Sequence, residues 1–279
     1  MYLENNSLII DLDTPNDEIY KIIKFPDKSL KFELVTDIQP KTEVFIYITL
    51  KSSDDILLLG LIKNVLDNFK AEVSLRINYM MYQQDDRQFN IKESFGLKVI
   101  SNFINTLNFS KVFIYHPHSD KVEFINNVSI KDNTEFIKWF LNHSNPKINH
   151  RNNVWVIPDA GAFKTQLKQI QKLNQEYFIV CNKTRDFNTG EITTVITHED
   201  LQGKDCFIVD DICLGGRTFI QIAEQLKQRN CGDIYLVVSH GVFNYGIEHL
   251  KPYFKTIYTT DSICRLPESD FLKIYNLKK

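Results

Sequence analysis

Short apolar runs that read as strands alternate along this chain with stretches whose apolar residues return every three or four positions. EVFIYI at 43–48 is followed by a helical pattern from Ile56 to Phe69, then by EVSLRI at 72–77, an amphipathic stretch at 94–107 and KVFIY at 111–115. Such alternation is the signature of parallel βαβ units, because a parallel neighbour is reached only through a crossover that a helix normally fills. After Asn142 the chain turns polar through HSNPKINHRNN, which reads as a junction or a surface crossing. The cadence then restarts with VWVIP at 154–158, a helical stretch at 162–173, YFIV at 177–180, a turn around Gly190, ITTVI at 192–196, CFIV at 206–209, a helix from Arg217 to Gln228, and IYLVV at 234–238. The expected fold is α/β, with two domains at 1–145 and 146–279 and mostly parallel central sheets.

With 279 residues, 43% of them hydrophobic, the chain can bury the cores that two such domains need. Lys plus Arg total 33 against 35 for Asp plus Glu, so the net charge of -2 gives no general attraction to nucleic acid. The N-terminal MYLENNSLIIDLD lacks a basic start and a continuous apolar core, and no later segment approaches the roughly 20 apolar residues of a spanning helix. The 5 cysteines are scattered without a CxxC pair, which fits a reducing compartment. A cytoplasmic protein with no membrane or nucleic-acid partner is expected.

The segment DCFIVDDICLGGRTFIQIAEQLKQ carries the most chemistry. A hydrophobic strand ends at Asp210 and Asp211, Gly215 and Gly216 follow, and a helix starts. Open α/β sheets bind ligands at the carboxyl ends of their strands. Glycines there let backbone N–H groups converge on a phosphate, to which a helix start adds its own donors. Arg217 offers a planar fork for phosphate oxygens, and Thr218 can cap the helix and donate its hydroxyl. The adjacent carboxylates suit ribose hydroxyls or water on Mg²⁺. The bland reading of the same residues is a capped βα turn with solvated acids. A nucleoside-triphosphate P-loop is excluded, since no Gly-Lys-Ser/Thr follows at its spacing.

This loop resembles the ribose-phosphate signature of the type I phosphoribosyltransferase-like fold, and other segments extend the resemblance to its ribose-phosphate diphosphokinase branch. KFPDKS at 24–29, NYMMYQQDDRQ at 78–88, HPHSD at 116–120, PDAG at 158–161, NKTR at 182–185 and SHGVF at 239–243 match that branch in order. The resemblance implies two phosphoribosyltransferase-like α/β domains, ATP as co-substrate, Mg²⁺, and transfer of the β,γ-diphosphoryl group to the anomeric hydroxyl of a ribose-5-phosphate moiety with release of AMP. It also implies a homodimer or higher homo-oligomer in which Phe25 and Asp27 serve the ATP of a neighbouring subunit.

On the ATP side the resemblance implies roles for Phe25 against the adenine, Asp27 as an acceptor, Arg87 on the triphosphate, Asp86 beside it, and His118 at the metal-bound nucleotide. Where the family has Arg, Gln, Asp, Arg and Lys, this chain has Gln84, Asp85, Asp86, Arg87 and Gln88; where it has an acid two residues before His118, this chain has His116. Taken alone, His116 and His118 read as surface or loop residues and make no zinc site. Asp159, after the VWVIP strand, can bind Mg²⁺ or orient the attacking hydroxyl, with a plain helix-starting Asp as the competing reading. Lys183 and Arg185 are the expected catalytic cations, neutralising charge that develops between the transferred group and AMP. The metal is assigned to His118 and Asp159.

The departure with most bearing on substrate lies at Leu214-Gly215-Gly216-Arg217-Thr218. The family has Asp-Thr-Ala/Gly-Gly-Thr there, so this chain lacks an acid and a hydroxyl and gains a cation. Ribose 5-phosphate is the default acceptor; a 5′-extended one such as ADP-ribose is the alternative. A phosphoribosyltransferase would leave the ATP-side motifs unused, and an inactive regulatory homologue would not need Lys183, Arg185, His118 and both acids.

Overall fold

The computed structural model describes residues 3–4, 7–144, 153–159, 161, 177–185, 192–196 and 200–278. The helix expected at 162–173 and the turn around Gly190 lie outside them. The chain forms two compact units, Met1–Asp132 and Asn133–Lys279.

In the first unit, β1 (Leu3–Glu4) pairs antiparallel with β2 (Ser7–Asp11). A hairpin of β3 (Tyr20–Lys24) and β4 (Leu30–Leu34) follows, held by Tyr20 stacked on Phe32 at 5.6 Å. Then come β5 (Glu43–Leu50), α1 (Ser53–Asn68), β6 (Glu72–Met80), α2 (Gly96–Thr106), β7 (Lys111–Tyr115) and β8 (Val128–Lys131). The parallel ladder runs β2-β5-β6-β7-β8. Helix α1 starts ahead of the apolar stripe because Ser52 and Asp55 form a reciprocal cap. The Ser52 hydroxyl accepts from Asp55 N at 3.3 Å, and the Asp55 carboxylate accepts from Ser52 N at 2.8 Å.

The second unit begins with α3 (Thr134–His143), then β9 (Val154–Ile157), β10 (Phe178–Val180), β11 (Asn182–Arg185), β12 (Ile192–Val195), β13 (Cys206–Cys213), α4 (Arg217–Gln228), β14 (Ile234–Gly241), β15 (Thr256–Thr260) and β16 (Leu272–Tyr275). Its sheet is ordered β10-β9-β13-β14-β15-β16 and is parallel throughout; β11 and β12 form a separate antiparallel pair. Side chains alternate across the sheet. Cys206, Ile208, Leu236 and Val238 lie on the face covered by α4 through Phe219, Ile222 and Leu226. Phe207, Val209, Tyr235 and Val237 lie on the face covered by α3 through Phe136, Ile137 and Phe140. Burial on both faces is why these strands read as unbroken apolar runs.

The polar tract placed the junction after 145, whereas the compact units divide at Asp132/Asn133. The difference is α3, whose aromatic stripe belongs to the second core. Phe140 is fully buried and sits edge-on to Phe207 at 5.2 Å and to Tyr258 at 4.8 Å. Phe140→Ala is expected to cost about 3–5 kcal/mol, read as a lowered urea midpoint for the second unit.

Candidate active site

The second sheet changes winding direction between β9 and β13. From β9 the chain moves outward to β10; from β13 it moves the other way through β14, β15 and β16. A crevice therefore opens at the carboxyl ends of these two strands, where open α/β sheets hold their ligands. Strand β13 pairs with β9 only at 206–208 but stays paired with β14 to Cys213. The sequence placed the strand's end at the acidic pair; continued pairing with β14 carries it past Asp210 and Asp211. Both acids are partly buried where β13 has passed beyond its pairing with β9, and Asp159 follows the end of β9.

Burial pushes the Asp210 carboxyl well above the usual carboxylate range, and the negative charges of Asp211 and Asp159 push it further. The one counterweight is a 2.9 Å hydrogen bond from Asp211 N to Asp210 Oδ1. This brings three expected acids into one electrostatic cluster that a cation or hydroxyl donors would relieve. Among the described residues, no group of three or more His, Cys, Asp or Glu has metal-holding geometry. Asp159 and its neighbours would thus supply only part of an Mg²⁺ shell, the usual arrangement when water and substrate oxygens complete it.

Beyond β13 the loop turns into α4. Gly216 is the N-cap with φ 79, and the helix has no side-chain cap. The expected Thr218 cap is therefore corrected: Thr218 lies inside the first turn, and Gly216, which has no side chain, stands at the N-cap. A helix start without a side-chain cap is a favourable place for an anion. The φ of Gly216 strains any side chain there, and a Cβ would also come within 2.7 Å of Leu250 Cδ2. The SHGVF segment supports this loop: Val242 N and Phe243 N donate to Cys213 O at 2.9 and 3.2 Å, and Asn244 N donates to Leu214 O at 2.9 Å. His249 Nε2 donates to Gly215 O at 3.0 Å. Sequence reading did not single out Tyr245 or His249; the Asn-Tyr-Gly directly after SHGVF, a turn bearing an aromatic, was the available signal.

Lys183 and Arg185 lie on β11 at alternate positions, opposite Thr194 and Ile192 of β12. They belong to a strand pair where a loop was expected.

In the first unit, Asp86 is the buried anchor of the 78–88 segment. Its Oδ1 accepts from Arg87 Nε at 2.9 Å and its Oδ2 from Ser119 Oγ at 2.8 Å, while Lys121 Nζ donates to its carbonyl at 2.6 Å. Burial works against the charge, yet the Arg87 and Ser119 hydrogen bonds and the Arg87 and Lys121 cations hold this carboxyl below its ordinary value. Gln83 Oε1 accepts from His118 N at 2.9 Å, tying the same segment to the loop after β7. Arg87 and His118 are exposed, whereas His116 is buried with φ 37, so the two histidines present no common ligand face. Phe25 and Asp27 occupy the tip of the β3–β4 hairpin, where Asp27 accepts from Ser29 Oγ at 2.7 Å and Ser29 N at 3.0 Å. These bonds lower the Asp27 pKa. Phe25 is 44% exposed. His118 and Asp159, both assigned to the metal, lie in different units.

An uncapped helix at a switch point beside clustered acids is the arrangement of the phosphoribosyltransferase fold, and the phosphoribosyl transferase domain profile matches residues 126–269. The chain belongs to that family. Within it, the chain resembles ribose-phosphate diphosphokinases. The ribose-phosphate pyrophosphokinase of Sulfurisphaera tokodaii is 27% identical over 215 residues, 75% of this chain and 72% of that protein. The one from Fusobacterium nucleatum is 26% identical over 199 residues, 70% of this chain and 62% of that protein. The crystal structure of phosphoribosylpyrophosphate synthetase from Mycobacterium smegmatis superposes with a TM-score of 0.79 at 15% identity, covering 92% of this chain and 86% of that one. The α/β architecture with mostly parallel sheets and the diphosphokinase resemblance expected from the motifs are borne out.

The acid cluster gives a pH-dependent prediction. A carboxyl whose folded pKa is raised holds its proton in the folded state after the unfolded state has lost it, so stability falls as pH rises from the unfolded value through the folded one. Asp210→Asn removes that titration. Without divalent cations or substrate, the variant is expected to be more stable than wild type at neutral pH, with the gain vanishing below pH about 4. Urea unfolding across that range checks it.

Proposed function

We propose that this chain transfers the β,γ-diphosphoryl group of ATP, with Mg²⁺, to the anomeric hydroxyl of a ribose-5-phosphate moiety and releases AMP. The observation that carries the reading is the coexistence of an acid cluster and uncapped phosphate loop in one unit with an anchored Asp86–Arg87 segment beside His118 in the other. A phosphoribosyltransferase has use for only the first.

Asp210 and Asp211 accept from ribose hydroxyls, and the backbone at 216–218 with Thr218 Oγ1 binds the 5-phosphate. Asp159 orients the anomeric hydroxyl. As its oxygen bonds to the β-phosphorus, the bond from that phosphorus to the α,β-bridging oxygen breaks and AMP departs. Arg87 and His118 hold the nucleotide, with Phe25 and Asp27 of a neighbouring copy on the adenosine in a homo-oligomer. Exposed Ile22, Ile23 and Phe25 on the hairpin favour such a neighbour. Lys183 and Arg185 meet the charge that develops on the transferred and departing groups. Asp159 would be the protein ligand of Mg²⁺ on the acceptor side and His118 on the nucleotide side, and the metal would supply further charge neutralisation. Alignment of the two substrates is the main catalytic contribution.

Purified protein with ATP, Mg²⁺ and acceptor is expected to form AMP in step with acceptor consumption, read by phosphorus spectroscopy. No AMP from a folded preparation, with either ribose 5-phosphate or ADP-ribose, overturns the reading. Lys183→Ala or Arg185→Ala is expected to lower kcat about 100-fold or more with little change in KM, because their contacts strengthen in the transition state.

The second reading concerns the acceptor. Arg217 is exposed in the first turn of α4, where the family loop has a neutral residue, and it suits a second phosphate beyond the 5-phosphate. Arg217→Ala is expected to lower kcat/KM for ADP-ribose about tenfold more than for ribose 5-phosphate; an equal loss for both removes this reading.

A further inference from the structure

Tyr245 is 80% exposed, yet its backbone is closely fixed. It lies between Phe243, with φ 48, and Gly246, with φ 71, in a turn closed by Gly246 N donating to Phe243 O at 2.8 Å. Asn244 N donates to Leu214 O, so the turn is bonded directly to the phosphate loop. The Tyr245 ring leans on that loop: a Cβ at Gly215 would lie 2.9 Å from its Cε2 and 3.2 Å from its Cδ2. It also meets the His249 ring edge-on, with centroids 6.4 Å apart and planes at 77°. His249 is held in turn by the Gly215 carbonyl.

A large ring placed on a rigid turn with most of its surface in water adds little to the core. Its neighbours are chemically specific: the glycine that begins the phosphate loop, a histidine bound to that glycine, and, two residues on, Arg217. An acceptor that ends at its 5-phosphate has no group for the ring to meet. One that continues through a second phosphate to a nucleoside carries a flat base, and stacking on an aromatic ring suits any base because each has a π face.

We propose that Tyr245, seated on Gly215 and His249, is a stacking platform that selects acceptors bearing a nucleoside on the 5′-diphosphate. The inference rests on the extended-acceptor reading and separates its two parts: Arg217 answers to the second phosphate and Tyr245 to the base.

Three acceptors divide these roles: ribose 5-phosphate, ribose 5-diphosphate and ADP-ribose. In Tyr245→Ala the ratio of kcat/KM for ADP-ribose to that for ribose 5-diphosphate is expected to fall about tenfold, mostly through KM, as loss of one stacked base predicts. Tyr245→Phe restores the ratio. Arg217→Ala changes the ratio of ribose 5-diphosphate to ribose 5-phosphate instead. Calorimetric titration with ADP-ribose needs no turnover and is expected to show about tenfold weaker binding in Tyr245→Ala. If wild type forms no AMP, the transfer reading fails while this titration still decides the role of Tyr245. The platform is overturned if wild type binds ADP-ribose no better than ribose 5-phosphate, if Tyr245→Ala weakens all acceptors equally or none, or if light scattering shows that the substitution changes the subunit number and leaves the acceptor ratio alone.

Discussion

The pairing of β13 with β14 is the constraint on which the second unit's site depends. Cys206 to Cys213 lie against Ile234 to Gly241 along nearly their full length, and this register does two things. It alternates side chains between two helix-covered faces, so each strand is buried on both sides. It also carries β13 beyond the point where β9 leaves it, so that Asp210 and Asp211 lie past the last residue paired with β9. At the far end, Cys213 O takes two N–H groups from the chain leaving β14, which fixes the loop before α4. Acids, loop and supporting turn are therefore positioned by one ladder.

Two carboxylates show how the units use charge differently. Asp86 is surrounded by donors and cations, and its pKa is lowered; it acts as a fixed anchor that holds Arg87 and the Ser119 loop in place. Asp210 is surrounded by burial and other acids, and its pKa is raised. A folded chain has no stability reason to gather Asp159, Asp210 and Asp211, since each disfavours the ionisation of the next. Perturbation of this kind clusters at functional sites, which makes Asp210 a candidate ligand group.

The sequence exposed those features that depend on local pattern. Strong β-runs at 43–48, 72–77, 111–115 and 234–238 were legible because burial on both faces makes them continuous, and α4 was legible to its ends because its apolar stripe is regular. The β3–β4 hairpin was not: Lys21, Lys24, Lys31 and Glu33 dilute its apolar residues, and its stability comes from the Tyr20–Phe32 stack across strands. Helix α3 escaped for a related reason, since whether Phe136 and Phe140 bury toward one core or the other is decided by packing. At the site, the acids and glycines were visible as residue types. Thr218 is a good N-cap by propensity, but the helix already begins at Arg217 with Gly216 as its N-cap, which puts Thr218 inside the first turn.

Gly215 shows why the loop's chemistry cannot be read one residue at a time. Glycine in a phosphate loop is ordinarily explained by the approach of backbone to anion. Here it meets a second demand, because any Cβ would collide with the Tyr245 ring. Gly216 is likewise bound by two demands, its φ of 79 and the proximity of Leu250. Both extra partners come from the segment after β14, which packs against the loop. A side chain restored at 215 would shift the exposed Tyr245 ring, and one at 216 would shift the Leu250 methyl end and be strained by the φ of 79. Residues 214–218 and 243–250 are therefore coupled by contact.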